Sequence, residues 1–258
     1  MGRGRCARRT GAAAVAVLLL CLIAASTCLA QERLPVPQVS VGIGEAKRPE
    51  DVALTLQVLA LLTVLSVAPA ILMMMTSFTR IIIVLSLTRS ALGVQQLPPN
   101  QVLMGLGLCL TFFTMQPTLA EINTQALQPY LKKRLPFDQA LQQAVPPVRR
   151  FMLRQTREND LALFVELSRT PRPETAADVP TYVIFPAFLV SELRTAFTMG
   201  FVIFLPFLVI DLVVSMILMS MGMVMLPPML ISLPFKILLF ILVDGWHLLA
   251  RALTASFS

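Results

Sequence analysis

Residues 52–79 contain no charged side chain, and neither do residues 90–120. Uncharged apolar runs of this length restrict the available folds more than any other feature of the chain. A helix needs about 20 residues to cross a hydrocarbon core of about 30 Å. In that medium each backbone polar group must find its partner within the protein, which selects helices or closed barrels. A third apolar region, Val183 to Ser258, has only six charged residues: Glu192, Arg194, Asp211, Lys236, Asp244 and Arg251. The chain is 14% charged, against about 25% for an ordinary soluble domain. An all-α membrane protein is expected, built of helical hairpins broken at Pro-Pro turns.

The N-terminus reads as an export signal and is set apart from the fold. Arg3, Arg5, Arg8 and Arg9 precede an apolar stretch from Ala12 to Ala25, and small residues lead to Ala30. Cleavage is expected between Ala30 and Gln31, with an uncleaved first membrane helix as the alternative. Loss of residues 1–30 removes four of the 21 basic residues and takes the formal charge from +7 to +3. The basic balance is then a targeting feature, and no nucleic-acid partner is expected. Of the four cysteines only Cys109 remains, too few for an intrachain disulfide.

The rest divides by composition. Residues 31–51, with Pro35, Pro37, Pro49, Gly42 and Gly44, read as an extracytoplasmic loop. Residues 52–116 form a first apolar block, interrupted at Pro98 and Pro99. Residues 117–182 hold nine basic and seven acidic residues, with Phe137, Leu141, Val145, Phe151, Leu161, Phe164 and Val165 at helical spacing. They read as a small water-facing helical subdomain. Residues 183–258 form a second apolar block, divided at Pro227 and Pro228. Both proline pairs are expected to break helices, since proline lacks a donor and disfavours helix at the residue before it. The simplest topology has spans at 52–79, about 90–116, about 183–210 and about 229–250. Arg80 and Arg89 then lie at a cytoplasmic turn, as the positive-inside bias expects.

Catalytic constellations are missing from the sequence. His247 is the one histidine, and Gly105-Leu106-Gly107 has no Lys-Ser/Thr after it. No enzyme, cofactor or metal is expected. The charges within apolar segments say more, because a charge at membrane depth must face protein, water or a counter-charge. Glu192 and Arg194 lie about 200° apart around a helix and need separate partners. Asp211 and Lys236 can meet across a hairpin. Such charges either pair structurally or line a polar pathway. Trp246 fits an interface anchor or ordinary packing.

Six of the 14 methionines fall between residues 216 and 229. On a continuous helix Met216, Met219 and Met223 share one stripe and Met221 and Met225 another, with Gly222 loosening the backbone between them. Methionine is unbranched and adaptable, and it reforms contacts after displacement. Repeated around a ring, the segment makes a deformable apolar collar; ordinary core or lipid-facing methionine is the alternative, with copper binding by thioethers a third.

The stretches MTSFTRIIIVLSLTRSALGVQQLPPNQVLMGLGLCLTFFTMQP (75–117) and PAFLVSELRTAFTMGFVIFLPFLVIDLVVSMILMSMGMVMLPPMLISLPFKILLFILVDGWHLLARAL (186–253) resemble the FliP family of type III export-gate subunits. The resemblance implies several copies packed laterally, with FliQ and FliR homologues, into a closed helical ring. It implies neighbours among other export-apparatus and basal-body proteins, and unfolded flagellar subunits as cargo. Location in the bacterial inner membrane, at the flagellar basal body, with periplasmic portions, also follows from it. A pore gasket carries over to Met219, Met221, Met223 and Met225, with Met216 one turn earlier. Arg80, Arg89, Glu192, Arg194, Asp211, Lys236 and Asp244 are expected as buried charges paired at protein interfaces. The injectisome branch of the same family is the near alternative, and a proton-coupled solute transporter using Glu192 and Asp211 the distant one.

Overall fold

A computed structural model describes residues 49–94, 97–169, 175–223 and 225–257. The expected signal peptide, its cleavage site at Ala30 and Gln31, and the loop up to residue 48 lie outside the described residues. The chain divides into two units, Met1–Leu56 and Gln57–Ser258. Of the first, only the opening turns of helix α1 are described.

Every regular element among the described residues is a helix, and none is a strand. Helix α1 runs Pro49–Met74, α2 Phe78–Ala91 and α3 Asn100–Ile122. A π-helical turn, Asn123–Leu127, leads into the short α4, Gln128–Leu131. Then come α5 (Phe137–Gln155), α6 (Glu158–Leu167), α7 (Thr181–Ser220), α8 (Pro228–Leu242) and α9 (Gly245–Ala255). Three stretches are long and apolar enough to cross a membrane: Leu56–Met74, Asn100–Leu131 and Thr181–Ser220. The pair α8 and α9, bent by 63°, makes a fourth if counted as one broken span. None of Leu56–Met74 is buried.

Packing centres on α2 against α7. Ile81, Val84 and Leu85 of α2 are buried in one core with Ile184, Phe188 and Ala196 of α7. The two helices run parallel, Arg80 bonding Glu192 and Leu87 lying over Gly200. A Cβ at Gly200 would sit 2.2 Å from Leu87 Cδ1, so any other residue there would force the Leu87 side chain to move. Helix α3 returns antiparallel to α2, with Ser77 Oγ 2.5 Å from Thr114 Oγ1. Helix α8 returns antiparallel to α7, bringing Phe207 to Phe240 with ring centroids 6.4 Å apart.

Two expectations need correction. The segment holding Arg80 and Arg89 is no turn between spans but a helix, α2, buried in the core through Arg80, Ile81, Val84, Leu85 and Thr88. Its charge is tolerated because a carboxylate neutralises it. In the second apolar block, the spans expected at about 183–210 and 229–250 fall on one 40-residue helix, α7, and on the bent pair α8 and α9, which meet at Asp244, whose φ of 51° breaks the helical path. Residues 117–182 do not pack apart from the rest of the core. Their lower boundary falls inside α3, and Phe151 and Met152 of α5 belong to the same core as Ile81 and Phe188. Of the expected apolar stripe, Phe137, Leu141 and Val145 point outward.

Candidate functional site

The Met-rich segment caps the α7–α8 hairpin. Helix α7 ends at Ser220, and Gly222 takes φ 72°. Gly222 N–H then donates to Met219 O at 3.1 Å, and Met223 N–H to Leu218 O at 3.0 Å. This is the Schellman pattern, which satisfies carbonyls that a helix end leaves bare. The expected helical stripes through Met221, Met223 and Met225 are thereby corrected: Gly222 does not loosen a helix but ends it, and these three lie in the turn. Pro227 then caps α8, with Pro228 as its first residue, where a missing N–H does no harm. Met216, Met219, Met221 and Met225 are all exposed, Met225 at 98%. The chain leaves this cluster of soft apolar side chains uncovered.

A partly buried ionic network braces the hairpin below. Lys236 Nζ donates to Asp211 Oδ2 at 2.6 Å and to the carbonyl of Ala91 at 3.2 Å. Ser232 Oγ donates to Asp211 Oδ1 at 2.6 Å. The network joins α7, α8 and the end of α2. Arg89, on the last turn of α2, donates to Asn100 Oδ1 at 2.5 Å and so bridges to the first residue of α3. Pro98 and Pro99 lie in that connection, Pro99 as the N-cap of α3.

The second network surrounds Arg80, which is 2% exposed. Its Nε donates to Glu192 Oε2 at 2.8 Å and its Nη2 to Glu192 Oε1. Nη2 also donates to Gln155 Oε1 at 3.1 Å. Nη1 donates to the carbonyl of Ser256 at 2.8 Å and to its hydroxyl at 3.0 Å. A guanidinium has five N–H donors, so all are occupied. The Phe257 ring lies 4.0 Å beneath the guanidinium carbon and stacks on Phe151. Buried charge is tolerable only when paired and fully hydrogen-bonded, and here it is.

The other expected charge sites are less enclosed. Arg194 is exposed and lies 3.9 Å from Asp160. Asp244 is exposed and faces His247 Nδ1 at 3.4 Å. Within the chain these two are therefore not buried charges, since each sits on an outward helix face or bend. Trp246 packs edge-on against Phe240. The structure adds Gln155, Ser232, Ser256 and Phe257, which sequence reasoning passed over as ordinary polar and terminal residues. No group of three or more His, Cys, Asp or Glu side chains among the described residues is placed to hold a metal.

The sequence profile of the FliP family matches residues 61–253. The chain belongs to the FliP family. The flagellar biosynthetic protein FliP of Bacillus subtilis (strain 168) is 54% identical over 217 residues, which cover 84% of this chain and 98% of that protein. The protein of the same name from Caulobacter vibrioides is 47% identical over 97% of this chain and 91% of its own length. That of Pectobacterium carotovorum is 55% identical over 79% of each. The FliP match takes in the Asp211–Lys236 network, the Arg80–Glu192 pair and the Met-rich turn, and ends before Ser256 and Phe257.

Proposed function

We propose that this chain is a structural subunit of the flagellar protein-export gate in the bacterial inner membrane, with no catalytic role. Copies pack laterally with FliQ and FliR homologues into a closed ring, in contact with further export-apparatus and basal-body proteins. The helix breaks at Pro98–Pro99 and Pro227–Pro228 set the hairpins that pack side by side. Met216, Met219, Met221, Met223 and Met225 of neighbouring copies meet at the axis, hold back ions and yield to an unfolded polypeptide.

One observation carries this reading: exposed methionines stand on a turn whose base is held by the Asp211–Lys236 network. An apolar cluster left bare by a well-braced hairpin calls for cover from other chains, and methionine suits a contact that must open and reclose. The names of the relatives support the flagellar branch over the injectisome. The transporter alternative gains nothing from the geometry, since Glu192 and Asp211 are each held by a cation.

The test replaces Met219, Met221, Met223 and Met225 together with Ala. The complex should keep the mass of the unmodified assembly while the cell membrane leaks ions. Unchanged conductance would remove the gasket, and a chain that purifies as a monomer without partners would remove the ring.

A further inference from the structure

Along α7, Glu192 lies about 40 Å from the Met-rich turn at the helical rise of 1.5 Å per residue. Beside the network that Glu192 shares with Arg80, helices α3, α5 and α9 enclose a cleft of about 520 Å³. Phe113, Thr114, Pro117, Arg154, Arg251 and Phe257 are among the residues that line it, and none of its lining is acidic. Nearby cations are engaged: Arg80 has Glu192, Arg150 has Glu121 and Arg194 has Asp160. The side chains of Arg154 and Arg251 make no hydrogen bond or ion pair among the described residues. Two guanidinium groups without a counter-charge among the described residues thus line one cleft.

The surroundings indicate what neutralises them. Helix α3 carries no charge from Asn100 to Ala120 and reaches its first acid at Glu121. The cleft lies next to that boundary. Phe112 and Phe113, 69% and 68% exposed, continue the apolar wall along α3 away from the charged end. Long basic side chains at such a boundary keep their stems on apolar surface and their charge at headgroup depth. A guanidinium fork matches phosphate oxygens in pairs.

We propose that Arg154 and Arg251 bind the phosphate of an anionic membrane phospholipid, whose acyl chains lie along Phe112 and Phe113. The site is independent of the gasket reading, because it requires only that α3 faces lipid at this level. Native mass spectrometry tests it on the detergent-extracted protein with all co-purifying subunits, after addition of phosphatidylglycerol, phosphatidylcholine or inorganic phosphate. Phosphatidylglycerol should be retained over phosphatidylcholine. Arg154→Gln with Arg251→Gln should weaken its retention about tenfold, in line with loss of charge-assisted hydrogen bonds, and Arg154→Lys with Arg251→Lys should keep most of it. Equal retention by the unmodified and Gln forms would overturn the site. So would full displacement of the lipid by millimolar inorganic phosphate, which would mark a free-anion site. A cross-link from position 251 to a carboxylate of a neighbouring subunit in the intact assembly would overturn it too, in favour of a protein partner.

Discussion

Arg80 and Glu192 lie 112 residues apart in sequence and meet as a two-pronged ion pair with almost no exposure to solvent. Removing one partner of such a pair leaves a bare buried charge, which costs about 3–5 kcal/mol. Arg80→Met should therefore lower the midpoint of thermal unfolding in detergent sharply. Arg80→Met with Glu192→Met should recover part of the loss, because the charge itself is gone. A double variant no more stable than the single one would exclude the unpaired carboxylate as the cause.

Phe257 fills a slot between Phe151 and the Arg80 guanidinium. Phe257→Ala should cost about 3 kcal/mol, in the usual range for a buried ring. Phe257→Leu keeps most of the volume and should lose less, chiefly the cation–π contact. Unfolding in detergent reads both. Equal stability of all three forms would show that the last residues do not hold the bundle together.

The Lys236–Asp211 pair is less enclosed than the Arg80 pair, with the Asp211 side chain 35% exposed. Solvent screening reduces its contribution, so Lys236→Met should destabilise by only about 1–2 kcal/mol, toward the low end of the roughly 1.5–3 kcal/mol for a hydrogen bond to a charged group. Lys236→Glu places two carboxylates together and should reduce the yield of assembled complex, measured by size-exclusion chromatography with partners co-expressed. A Lys236→Glu complex recovered at full yield would show that the hairpin does not depend on this pair.

Gly222 offers a cleaner backbone test. A Cβ there meets nothing within 4 Å, yet φ is 72°. Gly222→Ala should cost about 1 kcal/mol through the left-handed conformation alone, and Gly222→Asn less, since asparagine enters that region more readily. Hydrogen exchange at the Met223 amide, which closes the turn onto Leu218, should quicken in the Ala variant. An unchanged rate would mean the turn is held by something other than its own hydrogen bonds.

Much of this was legible from residue order. Charge-free runs and proline pairs indicate an all-helical, largely apolar chain, and Asp211 and Lys236 flank a hairpin closely enough for their pairing to be foreseen. The misreadings have physical causes. Arg80 looked like a boundary because hydropathy counts a charge as polar wherever it stands; only the fold shows a carboxylate 112 residues away cancelling it. Gly222 looked like a loosened helix because a run of methionines suggested continuity. A glycine shortly before two prolines is in fact a helix-stop signal, and that clue was available. Ser256 and Phe257 gave no local hint at all, since their role depends on long-range placement.

The bonds from Arg80 to Ser256 reach over 176 residues. During synthesis the α2–α7 pair can meet while the ribosome is still adding α8 and α9. Until residues 256 and 257 emerge, however, Arg80 keeps donors without acceptors and Phe151 keeps an open face. A nascent chain stalled before that point would therefore remain loosely closed, its oldest buried charge still short of the acceptors that Ser256 supplies.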